Sequence, residues 1–198
     1  MHSTQMFSYP QEYINLFYGF RNGGTFRMFT NAVEKMAKGM DFGGDIDELN
    51  KFKGDVLEVF AEIFFNAHTY DSSFGVDDYT PITLENDYGV DAIGINPNGD
   101  KVAIQIKYRS NPNDLVTYAE IARTYTSGKI QLDLDLDNDK TIYVFTTANG
   151  VTIPCQEVLG RRLVVVDRSI IKTVDNNKLF WANAYEQIIQ AIPIVDNL

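Results

Sequence analysis

The sequence predicts an α/β fold, a mixed β-sheet flanked by helices, with an extra helical segment at the N-terminal end. Three observations predict it. Apolar residues recur at helical spacing over the first 67 of the 198 residues, strand-like alternation and short apolar runs follow, and helical stretches separate those runs. Gln11 to Phe20 carries apolar Tyr13, Ile14, Phe17 and Tyr18 on one stripe and stops at Asn22-Gly23-Gly24. Thr25 is a natural cap for a second helix reaching about Lys38, before Gly39. A third helix, about Asp45 to Ala67, is strongly amphipathic. Leu49, Phe52, Val56, Leu57, Val59, Phe60, Ile63 and Phe64 form its apolar side, and Glu48, Lys51, Asp55, Glu58 and Glu62 its polar stripe.

Residues 70–87 are rich in Tyr, Asp, Ser and Gly and read as a connection. Tyr88 to Ile95 and Lys101 to Lys107 then read as two strands joined at Asn96-Pro97-Asn98-Gly99-Asp100, a composition that closes a hairpin. A helix is expected over 112–127, opening at Asn113 or Asp114 and ending near Gly128. The alternating run Asp133 to Asp139 lacks the glycine and closing glutamate of a calcium loop, and reads as a solvated loop or exposed strand. Thr141 to Thr146 and Arg162 to Val166 are expected strands. Pro154 to Leu159 is a short helix between them, and Lys178 to Ile192 a last one.

Composition removes several classes of function. At 44% hydrophobic and 13% aromatic residues the chain can build a core, which argues against disorder. Its apolar runs are broken by charge well short of the ~18–20 residues needed to span a bilayer, and no secretory leader is visible at its start, so no membrane partner is expected. One cysteine, Cys155, excludes an internal disulfide framework and a cysteine zinc site, and fits a reduced, cytoplasmic setting. The formal charge of −10 lies entirely in residues 1–100, which hold 6 Lys/Arg against 16 Asp/Glu. The second half is balanced and has local basic patches able to engage phosphates. With two histidines, a Ser-His-Asp arrangement has little material, and His68 reads as a helix-end residue. No Gly-x-x-x-x-Gly-Lys-Ser/Thr loop is present.

The stretch that carries chemistry is Gly89-Val90-Asp91, followed across the hairpin by Gln105-Ile106-Lys107. Alternate strand residues share a face, so Gln105 and Lys107 project together, with Asp91 on the partner strand beside them. A carboxylate, a neutral carbonyl and an ammonium on an apolar surface suit metal-assisted hydrolysis. Asp91 and Gln105 would offer hard oxygens to Mg²⁺, and Lys107 would orient or deprotonate an attacking water. Taken singly, each has a plainer reading: Asp91 as a strand end, Gln105 and Lys107 as the wet side of an edge strand. The spacing, the hairpin and an upstream glutamate favour the joint functional reading.

This pattern resembles the PD-(D/E)xK nuclease superfamily, and within it the Mrr-like restriction-endonuclease branch, where Gln-x-Lys stands for Glu-x-Lys. Lys53-Gly54-Asp55-Val56-Leu57-Glu58 resembles that family's first-helix motif. The resemblance covers roughly residues 50–190. It implies a restriction-endonuclease-like domain over 50–198, with 1–49 as an added helical extension. It also implies a Mg²⁺-dependent endodeoxyribonuclease, with Mn²⁺ as a substitute. Asp91, Gln105 and Glu58 would be the metal ligands and Lys107 the catalytic lysine; Glu62, one turn on, is the competitor of Glu58. Arg109, Arg123, Lys129, Arg161 and Arg162 are candidates for phosphate contacts. DNA is the expected partner, with a homodimer or association with a helicase or translocase module as a further expectation, in a bacterial or phage-infected cell. The competing reading is a non-catalytic acidic protein, a DNA mimic or an inactive nuclease fold. Lys107 among the ligand residues speaks against it.

Overall fold

In a computed structural model, the structure describes residues 11–69, 71, 73–82, 89–177 and 179–191. Three helices come first: α1 (Gln11–Tyr18), α2 (Phe26–Gly39) and α3 (Ile46–Ala67). Strands β1 (Asp77–Pro81), β2 (Ala92–Ile95) and β3 (Lys101–Lys107) follow, then α4 (Tyr118–Gln131) and β4 (Ile142–Thr146). The chain continues through α5 (Ile153–Leu159), β5 (Leu163–Val166), α6 (Arg168–Ile171) and α7 (Phe180–Ala191). The sheet order is β1-β2-β3-β4-β5. The first three strands pair antiparallel, and β3, β4 and β5 run parallel, each parallel step bridged by a helix. The architecture is therefore the expected one: a mixed sheet flanked by helices, with a helical segment at its N-terminal end.

Local chemistry sets the helix ends. Thr25 Oγ1 accepts the Met28 amide at α2, and Asp45 accepts the Asp47 and Glu48 amides at α3. The two sheet faces differ. Val102, Ile104, Ile106, Tyr143 and Phe145 pack with α1, α2, α3 and α7 in one core that includes Phe17, Phe29, Phe60 and Trp181. Phe29 stacks on Phe60 with ring centroids 4.7 Å apart, so the N-terminal helices share that core. Ala103, Ile142 and Val144 face the other way, onto Ile121 of α4 and Cys155 and Leu159 of α5. No described helix is long and apolar enough to cross a membrane.

Four expectations need correction. Residues 77–81 form an edge strand, β1, inside the stretch read as a connection. Asp and Pro hide it because both are poor strand formers, tolerated at an edge where few ladder bonds are needed. Helix α4 starts at Tyr118, after a Thr117 capping box closed by Glu120; residues 112–117 are loop, and Val116 bridges to Val151. Only the N-terminal end of the α3 polar stripe is solvated: Glu48 and Lys51 are exposed, and Glu58 is half-buried. Asp55 and Glu62 are buried, and so is Lys53 outside the stripe, because α2 and the sheet cover that side. Burial pushes the Asp55 carboxyl up, against the pull of Lys51 at 3.7 Å. Lastly, the short helix α6 between β5 and α7 was unforeseen; Asp167 caps it through the Ser169 and Ile170 amides. The start of the expected strand at Tyr88, and Lys178 and Ile192 of the last helix, lie outside the described residues.

Candidate active site

The site forms where the hairpin meets α4. Ala92 stands opposite Ile104, so Asp91, one residue before β2, falls beside Gln105. Its backbone continues the ladder: the Asp91 amide donates to Ile104 O at 2.9 Å, and the Ile82 amide donates to Asp91 O at 2.9 Å. At the far end of the hairpin, Asn96 Oδ1 accepts the Asn98 and Asp100 amides. Its Nδ2 donates to Lys140 O at 2.9 Å, tying the turn to the start of β4.

Gly89 has a structural reason to be glycine. Its φ is +71°, and a Cβ there would meet Arg123 Cγ and Cδ at 2.8 Å. The stem of Arg123, on α4, thus lies across the turn that delivers Asp91. One residue on, buried Thr124 places its hydroxyl 2.6 Å from Gly89 O.

Asp91 Oδ2 accepts the Ile106 amide at 2.5 Å and also the Gln105 side-chain Nε2–H. Gln105 is buried, and its Oε1 contacts the Thr124 hydroxyl. Lys107, two residues along the same face, is half-buried and makes no ion pair among the described residues. Glu58 and Glu62 approach from α3. Burial, then Glu62, Glu58 and Asp91 in that order, raises the phenol of Tyr79 well above its ordinary range, so all three carboxylates bear on one hydroxyl. Tyr79 stacks on Phe65 with centroids 5.4 Å apart. Glu62 is 3% exposed, and burial pushes its carboxyl up to about 7. Glu58, the sequence favourite, is half-buried.

Sequence reasoning missed Tyr79 and Thr124. Tyr79 sits on the strand that went unseen, and Thr124 is one of several polar residues on α4 with no spacing to mark it. The basic candidates, by contrast, are mostly engaged by acids. Arg109 pairs with Glu120, and Lys129 with Asp137; Arg161 Nε is 2.9 Å from Asp139, and Arg162 lies 3.6 Å from Asp137. Lys129 and Arg162 each sit 5.2 Å from the Tyr125 ring centroid. The acidic run at 133–139 is a loop whose carboxylates hold this basic cluster, while Leu134 and Leu136 plug the core.

Among the described residues no group of three or more His, Cys, Asp or Glu is placed to hold a metal ion. A cation here would therefore depend on the Gln105 carbonyl as well as on acids. The donors present, carboxylate and amide oxygens, are hard and suit Mg²⁺ or Mn²⁺.

No family model and no curated protein matches the sequence. Among solved structures the chain is similar to the DNA modification-dependent restriction endonuclease AspBHI, at 14% identity and a TM-score of 0.49. That similarity covers 97% of this chain, which spans 44% of the length of that protein.

Proposed function

We propose that the chain is a Mg²⁺-dependent endodeoxyribonuclease of the Mrr-like, Gln-x-Lys type, with Mn²⁺ as a substitute. The observation that carries this reading is the cross-strand contact of Asp91 with Gln105, on the face that also presents Lys107. Asp91, Gln105 and Glu58 would hold the cation, which supplies Lewis-acid stabilisation of charge building on a phosphodiester. Asp91 is locked by the Ile106 amide, so its carboxylate needs little reorganisation. Lys107 would orient a water or stabilise the charge developing at phosphorus. Residues 50–198 would carry the chemistry and the helices of 1–49 would brace it. Arg123, exposed beside the Asp91 turn, is the basic residue best placed for a DNA phosphate. DNA is the proposed partner, and cutting both strands would call for a homodimer or a partner module.

The test is incubation with supercoiled, linear, single-stranded and branched DNA, with and without Mg²⁺ or Mn²⁺. Metal-dependent nicking is the expected result. Failure to nick any of these, with competition against other DNA-binding proteins, would favour the acidic mimic. Single-turnover cleavage and DNA binding in calcium then separate two roles for Lys107. Lys107→Ala should lose rate, an effect realised in the transition state, with affinity nearly unchanged. Lost affinity with normal cleavage at saturating protein would remove the lysine from catalysis.

A further inference from the structure

Resting on the nuclease reading above, we propose that Thr124 is a positioning residue. Its hydroxyl sets which end of the Gln105 amide faces Asp91, and arrival of a divalent cation is answered by a half-turn of that amide. Thr124 is 0% exposed, and its oxygen lies within hydrogen-bond distance of both Gly89 O and Gln105 Oε1. A hydroxyl carries one hydrogen and cannot donate to both. With Nε2 turned toward Asp91, one of these two acceptors receives nothing from Thr124.

The two ends of an amide have nearly the same outline, so the same heavy-atom frame carries the rotated form. Rotated, Gln105 Nε2–H donates to Thr124 Oγ1, and the Thr124 hydroxyl is released to donate to Gly89 O. Every group around Thr124 is then matched. The cost moves to the other side, where Gln105 Oε1 meets Asp91 Oδ2, an oxygen that already accepts the Ile106 amide. Two oxygens in contact repel, and a cation between them turns that repulsion into a pair of ligands. The Nε2-to-Asp91 form therefore suits the site without cation, and the rotated form suits the site with it. Thr124 supplies the acceptor that the rotated form requires. Removing its hydroxyl strands Nε2–H in the loaded state alone, which reads out as lost cation affinity.

The experiment uses the full chain. Mg²⁺ and Mn²⁺ affinity is measured by calorimetry, and the Gln105 side-chain NH₂ resonance is followed by ¹⁵N NMR as Mg²⁺ is added. In the wild-type protein that resonance should shift as its acceptor changes from carboxylate to hydroxyl. Thr124→Val should weaken Mg²⁺ binding by about tenfold and hold the amide signal at its metal-free position where the wild type is saturated. Thr124→Ser should restore both. A carboxylate shows oxygen at either end, so in a Gln105→Glu background Thr124→Val should cost no affinity; an equal loss there would indicate packing damage and overturn the proposal. Thr124→Val that binds and shifts like the wild type overturns it too, leaving the nuclease reading intact. Absence of Asp91-dependent cation binding in the wild type overturns the nuclease reading and this inference with it.

Discussion

Two polar clusters lie near β3, and they differ in how their hydrogen bonds close. In the first, Lys53 Nζ donates to Glu34 Oε2 at 2.8 Å and to Ser110 Oγ at 3.0 Å. Tyr108 and Ser110 donate to Glu34 Oε1 at 3.0 and 2.7 Å. Burial works to raise the Glu34 carboxyl, and these hydrogen bonds more than reverse it, leaving it below its ordinary range. The cluster joins α2, α3 and the extension of β3, and both Glu34 carboxylate oxygens are held by these donors. In the second, Asp91, Gln105, Thr124 and Gly89 have more acceptors than the Thr124 hydroxyl can serve. A closed network rigidifies, whereas one in which a single hydroxyl faces two acceptors can settle in more than one arrangement.

The largest effect that would break this contrast is on activity. Asp91→Ala should lower metal-dependent cleavage by about 10³-fold, in the range of lost preorganised charge stabilisation, while the cooperative melt is retained. Cleavage at the wild-type rate would move the site elsewhere. Next comes Glu34→Ala. It leaves Lys53, whose side chain is 9% exposed, without its counter-charge, and should cost about 3 kcal/mol in denaturant unfolding. Cleavage per folded molecule should stay unchanged. A drop in rate with intact stability would mean that the closed network also serves the reaction.

The smallest effect concerns Glu62, and it depends on pH. Its folded carboxyl is held near 7 against an ordinary 4.5, so the folded state keeps a proton that the unfolded chain gives up. Stability therefore falls as pH rises from about 4.5 to 7, and the penalty is complete above that range. Glu62→Gln should recover about 2–3 kcal/mol at pH 8 and nothing below pH 4. Urea unfolding across this range checks it. A recovery that persists at low pH would trace to packing. Glu58→Gln should impair cleavage more than Glu62→Gln; the reverse order would move the helix contribution one turn along α3.

Helices α1, α2, α3, α5 and α7, the hairpin and the strands β4 and β5 were legible because each is specified by its own neighbours. Thr25 and Asp45 cap the helices that follow them, Asn96 to Gly99 turns the hairpin, and period fixes which side is apolar. The same locality made Asp91, Gln105 and Lys107 readable as a set, since strand alternation and a short turn already determine who stands beside whom. The edge strand β1 was not legible. Its Asp and Pro oppose strand formation, and tertiary contacts stabilise it: pairing with β2 and the stacking of Tyr79 on Phe65 of α3.

The sequence by itself thus determined the fold class, the order of most elements and the hairpin that brings Asp91 to Gln105. Tertiary structure alone decided which polar residues of α3 are dry, because a stripe of charge on a helix looks the same whether water or α2 and the sheet cover it. It also decided that Arg109, Lys129, Arg161 and Arg162 are held by acids distant in sequence or around a turn. Thr124 and Tyr79 became neighbours of the site only when α4 and β1 packed against the hairpin. Burial and long-range contact depend on the whole chain closing on itself, and no local spacing encodes them.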